Sequence, residues 1–162
     1  MNKAVFLDRD GVINIERGQY TYLISDFEFV EGIFENLKKL SDAGFLLIVI
    51  SNQGGIEKEY YDYKDVEKLH EFMKVEFKKH GISCKEIYYC PHHSDFQKCL
   101  CRKPGSLLIE KAIARFQIDP ARSYMIGDQK RDETAGKKAG VTGFLVERNH
   151  NISEIIQKIL DN

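Results

Sequence analysis

The chain has almost no net charge: 24 Lys and Arg stand against 25 Asp and Glu, a formal net charge of −1. General attraction to nucleic acid or to an anionic membrane needs an excess of positive charge, so neither is expected as a partner. Long apolar runs are missing as well. No uninterrupted stretch approaches the about 20 residues of a membrane span and no charged, apolar leader opens the chain, so a cytoplasmic location is expected. Internal repeats, low-complexity tracts and linkers are also absent, and 162 residues suit a single domain, 1–162, compatible with a monomer. Cysteine is sparse but not scattered. Cys90, Cys99 and Cys101 crowd one short segment beside His92, while Cys84 stands apart as a packed thiol. In a reducing compartment such clustering favours a metal over disulfides.

What is present is an alternation of strand and helix patterns. Val5 to Leu7, Phe45 to Ile50, Glu86 to Tyr89, Tyr124 to Ile126 and Gly143 to Val146 read as strands. Between them, Leu37, Leu40 and Ala43 space one helical face before Gly44, and Val66, Leu69, Phe72, Met73 and Phe77 space another before Gly81. Leu107 to Phe116, Arg131 to Ala139 and Ile152 to Leu160 complete the helices. The order predicts a three-layer α/β/α sandwich, Rossmann-type, on a mostly parallel sheet.

Parallel sheets bind ligands outside the carboxyl ends of their strands, so the residues that end each strand carry the functional reading. The first strand breaks off into Asp8-Arg9-Asp10-Gly11, two carboxylates one residue apart, the outline of a Mg²⁺ and phosphate site. The second ends in Ser51-Asn52-Gln53-Gly54-Gly55, a hydroxyl and an amide followed by glycines that let backbone N–H groups approach an anion. The third runs into the cysteine segment and Arg102-Lys103-Pro104, and the fourth ends in Gly127-Asp128 with Asp132 four residues on. Singly, each has a plain structural explanation: Lys103 as solvated surface, Asp128 as a helix cap. Together on one sheet edge they read as an active site.

Cys90-Pro91-His92 and Cys99-Leu100-Cys101 each place two donors at i and i+2, which face the same way in extended backbone. Four S and N ligands with no open position make a structural Zn²⁺ site of Cys90, His92, Cys99 and Cys101, with His93 turned away. Because Arg102 and Lys103 follow Cys101 directly, zinc would pin the segment that carries the phosphate clamp.

In this order the set resembles the haloacid dehalogenase superfamily of phosphatases, over nearly the whole chain. The resemblance implies Asp8 as nucleophile of a phosphoaspartyl intermediate, with Asp10 as general acid and base. It implies Mg²⁺ held by Asp8, the Asp10 carbonyl and Asp128. Ser51, the Asn52 backbone and Lys103 would hold the phosphoryl oxygens, and Asp132 would orient Lys103 or a water. Neither interval between motifs has room for an inserted cap domain, so selectivity falls to the loops Asn14 to Tyr22, Gln53 to Tyr60 and Cys90 to Lys103. The zinc loop narrows the resemblance to two sister groups, the heptose 1,7-bisphosphate phosphatases and the histidinol-phosphate phosphatases. Ser51 to Ile56, Ile87 to His93 and Asp26 to Phe29 look like the heptose group; the short interval from His92 to Cys99 looks like the histidinol group. Gln129 stands where heptose enzymes often carry Lys.

The remaining substrate signal is charge. Arg9, Arg17, Arg102, Lys103, Lys130 and Arg131 fall in loops or helix starts near one sheet edge, which suits a small phosphorylated metabolite with a second anion, such as a sugar bisphosphate. Gln53, Gly54, Arg102 and Glu16 join the candidate substrate contacts. A histidinol ammonium would need a carboxylate, which Glu16 could supply. The alternative outside enzymology is a phosphate-sensing or partner-binding module on the same fold, although such a module would be expected to lose Asp8, Asp10 or Lys103.

Overall fold

The computed structural model describes residues 1–162. Five parallel strands, β1 (Ala4–Leu7), β2 (Leu46–Asn52), β3 (Cys84–Cys90), β4 (Tyr124–Gly127) and β5 (Thr142–Leu145), form one sheet in the order β3-β2-β1-β4-β5. The helices are α1 (Ile33–Asp42), α2 (Tyr63–Lys79), α3 (Leu107–Phe116), α4 (Lys130–Lys138) and α5 (Ser153–Leu160). Every strand pair is parallel, with Ala4 to Leu7 of β1 opposite Leu46 to Val49 of β2 and Val5 to Leu7 opposite Tyr124 to Ile126 of β4.

The two faces follow from the period of two along each strand. Val5, Leu7, Leu47, Val49 and Ile126 point to one side, onto Ile33, Leu37 and Leu40 of α1, Leu69, Met73 and Phe77 of α2, and Ile156 and Ile159 of α5. Ala4, Phe6, Ile48, Ile50 and Met125 point to the other, onto Leu108, Ile109 and Ala112 of α3 and Ala135 of α4. The three-layer sandwich is therefore present as expected. No cap domain interrupts it: between β1 and α1 lies one short 3₁₀ turn, Ile24–Asp26, and between β2 and Lys103 only α2, β3 and the cysteine loop.

Element ends differ by a residue or two from the expectation. β3 runs from Cys84 to Cys90, so Cys84 belongs to a strand, and a register irregularity opposite Leu47 and Ile48 accompanies its start. β2 starts at Leu46 and continues through Ser51 and Asn52, making both of them sheet residues. The α2 start carries a capping box in which the Asp62 side chain accepts from Asp65 N–H and the Asp65 side chain from Asp62 N–H.

β1 lies at the centre, and the chain passes from β3 on one edge to β4 on the other side of β1. The crevice beyond the carboxyl ends of β1 and β4 is thus a topological switch point.

Candidate active site

Asp8 follows β1 directly and is buried. Its Oδ1 accepts from Lys103 Nζ at 2.7 Å and from Arg9 N–H at 2.8 Å. Lys103 Nζ also donates to Ile50 O at 2.7 Å and forms an ion pair with Asp132 Oδ1 at 2.7 Å, without hydrogen-bond geometry, so one of its three N–H groups is left for a ligand oxygen. Burial by itself lowers the ammonium pKa, but Asp8 and Asp132 outweigh it and hold Lys103 above its ordinary value. The same burial, opposed by Lys103, pushes Asp8 up to about 7. The backbone of Lys103 is fixed by Asn52, whose amide accepts from Lys103 N–H at 2.9 Å and donates to Lys103 O at 3.1 Å. Strand ends of β1 and β2 and the start of α4 therefore meet on one lysine.

Asp10 sits one residue beyond Arg9. Its Oδ1 accepts from Arg9 Nη2 at 2.9 Å and Asn14 Nδ2 at 3.1 Å, and its Oδ2 from Gln53 Nε2 at 3.2 Å. Burial favours the protonated form, but the Arg9 guanidinium and these donors prevail and hold Asp10 below the usual carboxylate range. Arg9 itself is a buried strut. Besides Asp10 it reaches Thr21 O at 2.7 Å and His70 Nε2 at 3.2 Å, tying the motif to α2.

His70 is consequently neutral: burial, reinforced by the Arg9 charge, pushes its pKa down from 6.5 to about 3. The unfolded chain takes up a proton near 6.5, so between pH 6.5 and 3 it binds more protons than the folded chain. Stability then falls with falling pH by up to about 1.4 kcal/mol per unit from this group. Denaturant unfolding at pH 7 and pH 5 checks it. The His70→Gln protein, which keeps an acceptor for Arg9, is expected to lose about 2 kcal/mol less than wild type between those pH values.

Asp128, at the end of β4, keeps its side chain buried with Oδ2 accepting from Arg148 Nε at 2.6 Å, while Oδ1 has no hydrogen-bond partner. One oxygen each of Asp8, Asp128 and Asp132 lie within 4.8 Å of one another. Asp132 Oδ2 accepts from Gln129 N–H at 3.0 Å, and its Oδ1, although it accepts no hydrogen bond, is committed to the Lys103 ion pair. That leaves Asp8 and the orphaned Asp128 Oδ1 as hard oxygen donors for a cation, a donor set that fits Mg²⁺. Gly11, at φ +89°, passes so close to the Asp128–Arg148 ion pair that a Cβ would stand 2.6 Å from Asp128 Oδ2.

The four zinc candidates also converge. Cys90 Sγ is 3.6 Å from Cys99 Sγ, Cys101 Sγ is 3.6 Å from Cys99 Sγ and 2.9 Å from Cys90 Sγ, and His92 Nδ1 is 3.5 and 3.3 Å from Cys90 and Cys101. Four thiolate or imidazole donors about 2.0–2.3 Å from one ion would be spaced by roughly 3.5–3.8 Å, so the cluster fits tetrahedral Zn²⁺ with one slightly closed edge. Cys84 is outside it. His93 is no part of it either: its Nδ1 faces Asp95 at 3.4 Å.

A cavity of about 700 Å³ opens over these strand ends, lined among others by Asp8, Asp10, Glu16, Asn52, Gln53, Gly54, Arg102 and Arg131. Ser51 and Lys103 lie beneath its floor. Ser51 is fully buried with its hydroxyl accepting from Gln53 Nε2 at 2.7 Å, and Tyr61 donates to Gln53 Oε1 at 2.6 Å. Gly54 packs tightly, since a Cβ there would stand 2.8 Å from the His93 ring and 3.1 Å from Arg102.

The expected basic cluster is only partly assembled. Arg17 pairs with Asp26, and Lys130 pairs with Glu133; both are outside the cavity lining, because each finds a local carboxylate on its own loop or helix turn. Arg9 lines the cavity but is committed to Asp10, Thr21 and His70.

A family model described as HAD-hydrolase-like matches residues 100–159. The D-glycero-beta-D-manno-heptose-1,7-bisphosphate 7-phosphatase of Haemophilus ducreyi is 44% identical over 98% of this chain and 91% of its own. The chain belongs to the haloacid dehalogenase-like phosphatases. A second relative of this phosphatase, the D-glycero-alpha-D-manno-heptose-1,7-bisphosphate 7-phosphatase of Campylobacter jejuni, is 43% identical over 94% of the chain and 86% of its own. Among solved structures, the D,D-heptose 1,7-bisphosphate phosphatase of B. bronchiseptica, complexed with magnesium and phosphate, superposes with a TM-score of 0.85 at 26% identity, covering 96% of this chain and 86% of that one.

The loops Asn14 to Tyr22 and Gln53 to Tyr60 do line the cavity of the phosphatase as expected, but the tyrosines within them, and Asn149 behind them, were not singled out from the sequence. Tyr20, Tyr22 and Tyr60 form a wall with Tyr61, in which Tyr22 stacks on Tyr61 at 5.0 Å and Tyr20 meets Tyr60 at 5.3 Å. Asn149 fixes the facing loop, donating from Nδ2 to Glu16 O at 3.0 Å and accepting Glu16 N–H at 2.7 Å. Glu16 Oε1 in turn takes Gly18 N–H at 2.6 Å.

Proposed function

We propose that the protein is a Mg²⁺-dependent phosphatase that removes the 7-phosphate of D-glycero-D-manno-heptose 1,7-bisphosphate and leaves the 1-phosphate in place. The observation that carries the reading is the meeting of Asp8, Asp132 and Asn52 on Lys103, with Asp10 beside them at the mouth of the cavity. The activity printed for two relatives above 40% identity supplies the substrate.

Asp8 Oδ2, the oxygen that accepts no hydrogen bond from the protein, attacks phosphorus in line with the departing sugar oxygen. The P–O bond to the sugar breaks, a phosphoaspartate forms on Asp8, and Asp10 gives its proton to the leaving oxygen. A water then gives a proton back to Asp10 as it attacks the phosphoaspartate, releasing inorganic phosphate and free Asp8. Arg9, Asn14 and Gln53 fix the direction of the Asp10 carboxyl, while the arriving phosphoryl dianion raises its proton affinity by like-charge proximity. Lys103, kept charged, and the Asn52 and Gln53 loop face the phosphoryl oxygens. Asp8, Asp128 and the Asp10 carbonyl would hold Mg²⁺, which when bound neutralises the repulsion between carboxylate and phosphate. Cys90, His92, Cys99 and Cys101 would hold Zn²⁺, a structural ion that fastens the end of β3 to the Arg102-Lys103 segment.

Histidinol phosphate as the substrate finds no support among the relatives, and a non-catalytic module is disfavoured by the intact set. Arg102 is the residue whose removal tests the bisphosphate reading. Its Nη1 donates to His92 O at 3.0 Å, which leaves the rest of the fork at the cavity wall. A charge-assisted hydrogen bond from it to the second phosphate is worth roughly 1.5 to 3 kcal/mol. In Arg102→Ala, kcat/KM for the bisphosphate is expected to fall at least about tenfold further than for p-nitrophenyl phosphate. Wild-type preference for histidinol phosphate would overturn the assignment.

A further inference from the structure

Three guanidiniums line the cavity, and two have protein acceptors. Arg9 is held by Asp10, Thr21 O and His70, and Arg102 by His92 O. Arg131 has none. It is half-buried on the first turn of α4; Arg9 Nε is also without a partner, but the Arg9 Nη atoms are engaged, whereas no nitrogen of the Arg131 guanidinium meets a protein acceptor and no carboxylate lies within ion-pair distance of it. A guanidinium that lines a cavity with none of its nitrogens committed to a protein acceptor is free to donate to an anion bound there. The cavity's carboxylates do not supply the acceptor: Asp8 and Asp10 are engaged with Lys103 and Arg9, and Glu16 with Gly18 N–H.

The size of the cavity bears on what that acceptor is. About 700 Å³ lies in the range, roughly 300–1,000 Å³, that takes a whole small molecule, far more than the phosphoryl group at Asp8 requires. The group over Asp8 already has its cation, Lys103, held by hydrogen bonds to Asp8 and Ile50 O and by the ion pair with Asp132. We propose that Arg131 joins the uncommitted part of the Arg102 fork in binding the second, non-reacting phosphate of the substrate, and so helps to set the preference for a bisphosphate over a monophosphate. Arg131 is thereby a specificity residue, with the planar fork that suits two phosphate oxygens at once. The inference rests on the bisphosphatase reading for the identity of the sugar, not for the chemistry of the subsite.

The test uses the zinc- and magnesium-loaded full-length protein. Steady-state kinetics of wild type, Arg131→Gln and Arg131→Lys are measured on heptose 1,7-bisphosphate and p-nitrophenyl phosphate. Fructose 1,6-bisphosphate and fructose 6-phosphate are then compared as competitive inhibitors of p-nitrophenyl phosphate hydrolysis. In Arg131→Gln, kcat/KM for the heptose bisphosphate is expected to fall about ten- to hundredfold further than for p-nitrophenyl phosphate, chiefly through KM. Any preference for the fructose bisphosphate over the monophosphate should shrink by a similar factor, and Arg131→Lys should recover part of both. Equal losses on both substrates, or a drop confined to kcat, would place Arg131 at the reacting phosphoryl group and overturn the proposal, as would an unchanged bisphosphate KM. If wild type ignores the heptose bisphosphate while Arg131→Gln still abolishes discrimination between the two fructose phosphates, the heptose assignment fails and the Arg131 subsite stands. If wild type discriminates neither pair, both fail.

Discussion

Replacing Asp8 by Asn is expected to lower turnover by about four orders of magnitude or more while leaving the fold intact. The amide has nearly the shape of the carboxylate, so its Oδ1 can still accept from Lys103 Nζ and Arg9 N–H, now at 2.7 and 2.8 Å. What it lacks is the electron pair of an anionic oxygen, without which no phosphoaspartate forms. Stability should change little, because burial already holds Asp8 up at about 7 despite Lys103, so a neutral group there is no great departure. Activity on any phosphomonoester and a thermal melt check both halves. Turnover within about tenfold of wild type, in protein freed of deamidated material, would remove Asp8 from the reaction.

The second large effect concerns the cysteine loop. Cys101→Ser is expected to reduce zinc from one ion per chain to none, by elemental analysis of protein purified without chelator. The consequence reaches the active site through a short path. Arg102 N–H lies 3.4 Å from Cys99 Sγ, Arg102 Nη1 bonds His92 O, and the next residue is Lys103. Loss of the ion removes a link between β3 and this segment, and a misplacement of about 1 Å at Lys103 costs on the order of a hundredfold in rate. A melting temperature lower by roughly 10 °C is expected, from about 3 kcal/mol at some 2–4 °C per kcal/mol for a chain of this size. Cys84→Ser should keep its zinc, since Cys84 lies in β3 away from the cluster. Zinc absent from wild type, or fully retained in Cys101→Ser, would dismiss the site.

Much of this was legible in the chain because the fold puts its chemistry where apolar runs stop. Asp8, Asn52, Lys103 and Asp128 each follow or end a strand pattern, and a parallel sheet gathers such ends on one edge. The pairing of Asp132 with Lys103 follows from the same logic, as α4 begins immediately beyond β4. Contacts between distant loops leave no comparable trace. The Asn149 bonds to Glu16 span 133 residues, and nothing in the sequence around either announces them. The tyrosine wall joins residues 20–22 to 60 and 61 by packing, not by period. Counting Arg and Lys near one edge misjudged Arg17 and Lys130 for a related reason: a charge next to a local carboxylate is spent on it, as Asp26 and Glu133 demonstrate. Arg131 has carboxylates just as near in sequence, but Asp128 is paired with Arg148, Asp132 with Lys103 and Glu133 with Lys130, so it is left without one.

The bisphosphatase assignment is tested most directly by following heptose 1,7-bisphosphate turnover with ³¹P NMR in the presence of Mg²⁺. Expected is loss of the 7-phosphate resonance with matching growth of inorganic phosphate, while the anomeric 1-phosphate signal persists, and a kcat/KM above that for histidinol phosphate. Release of the 1-phosphate, or faster hydrolysis of histidinol phosphate, would contradict it.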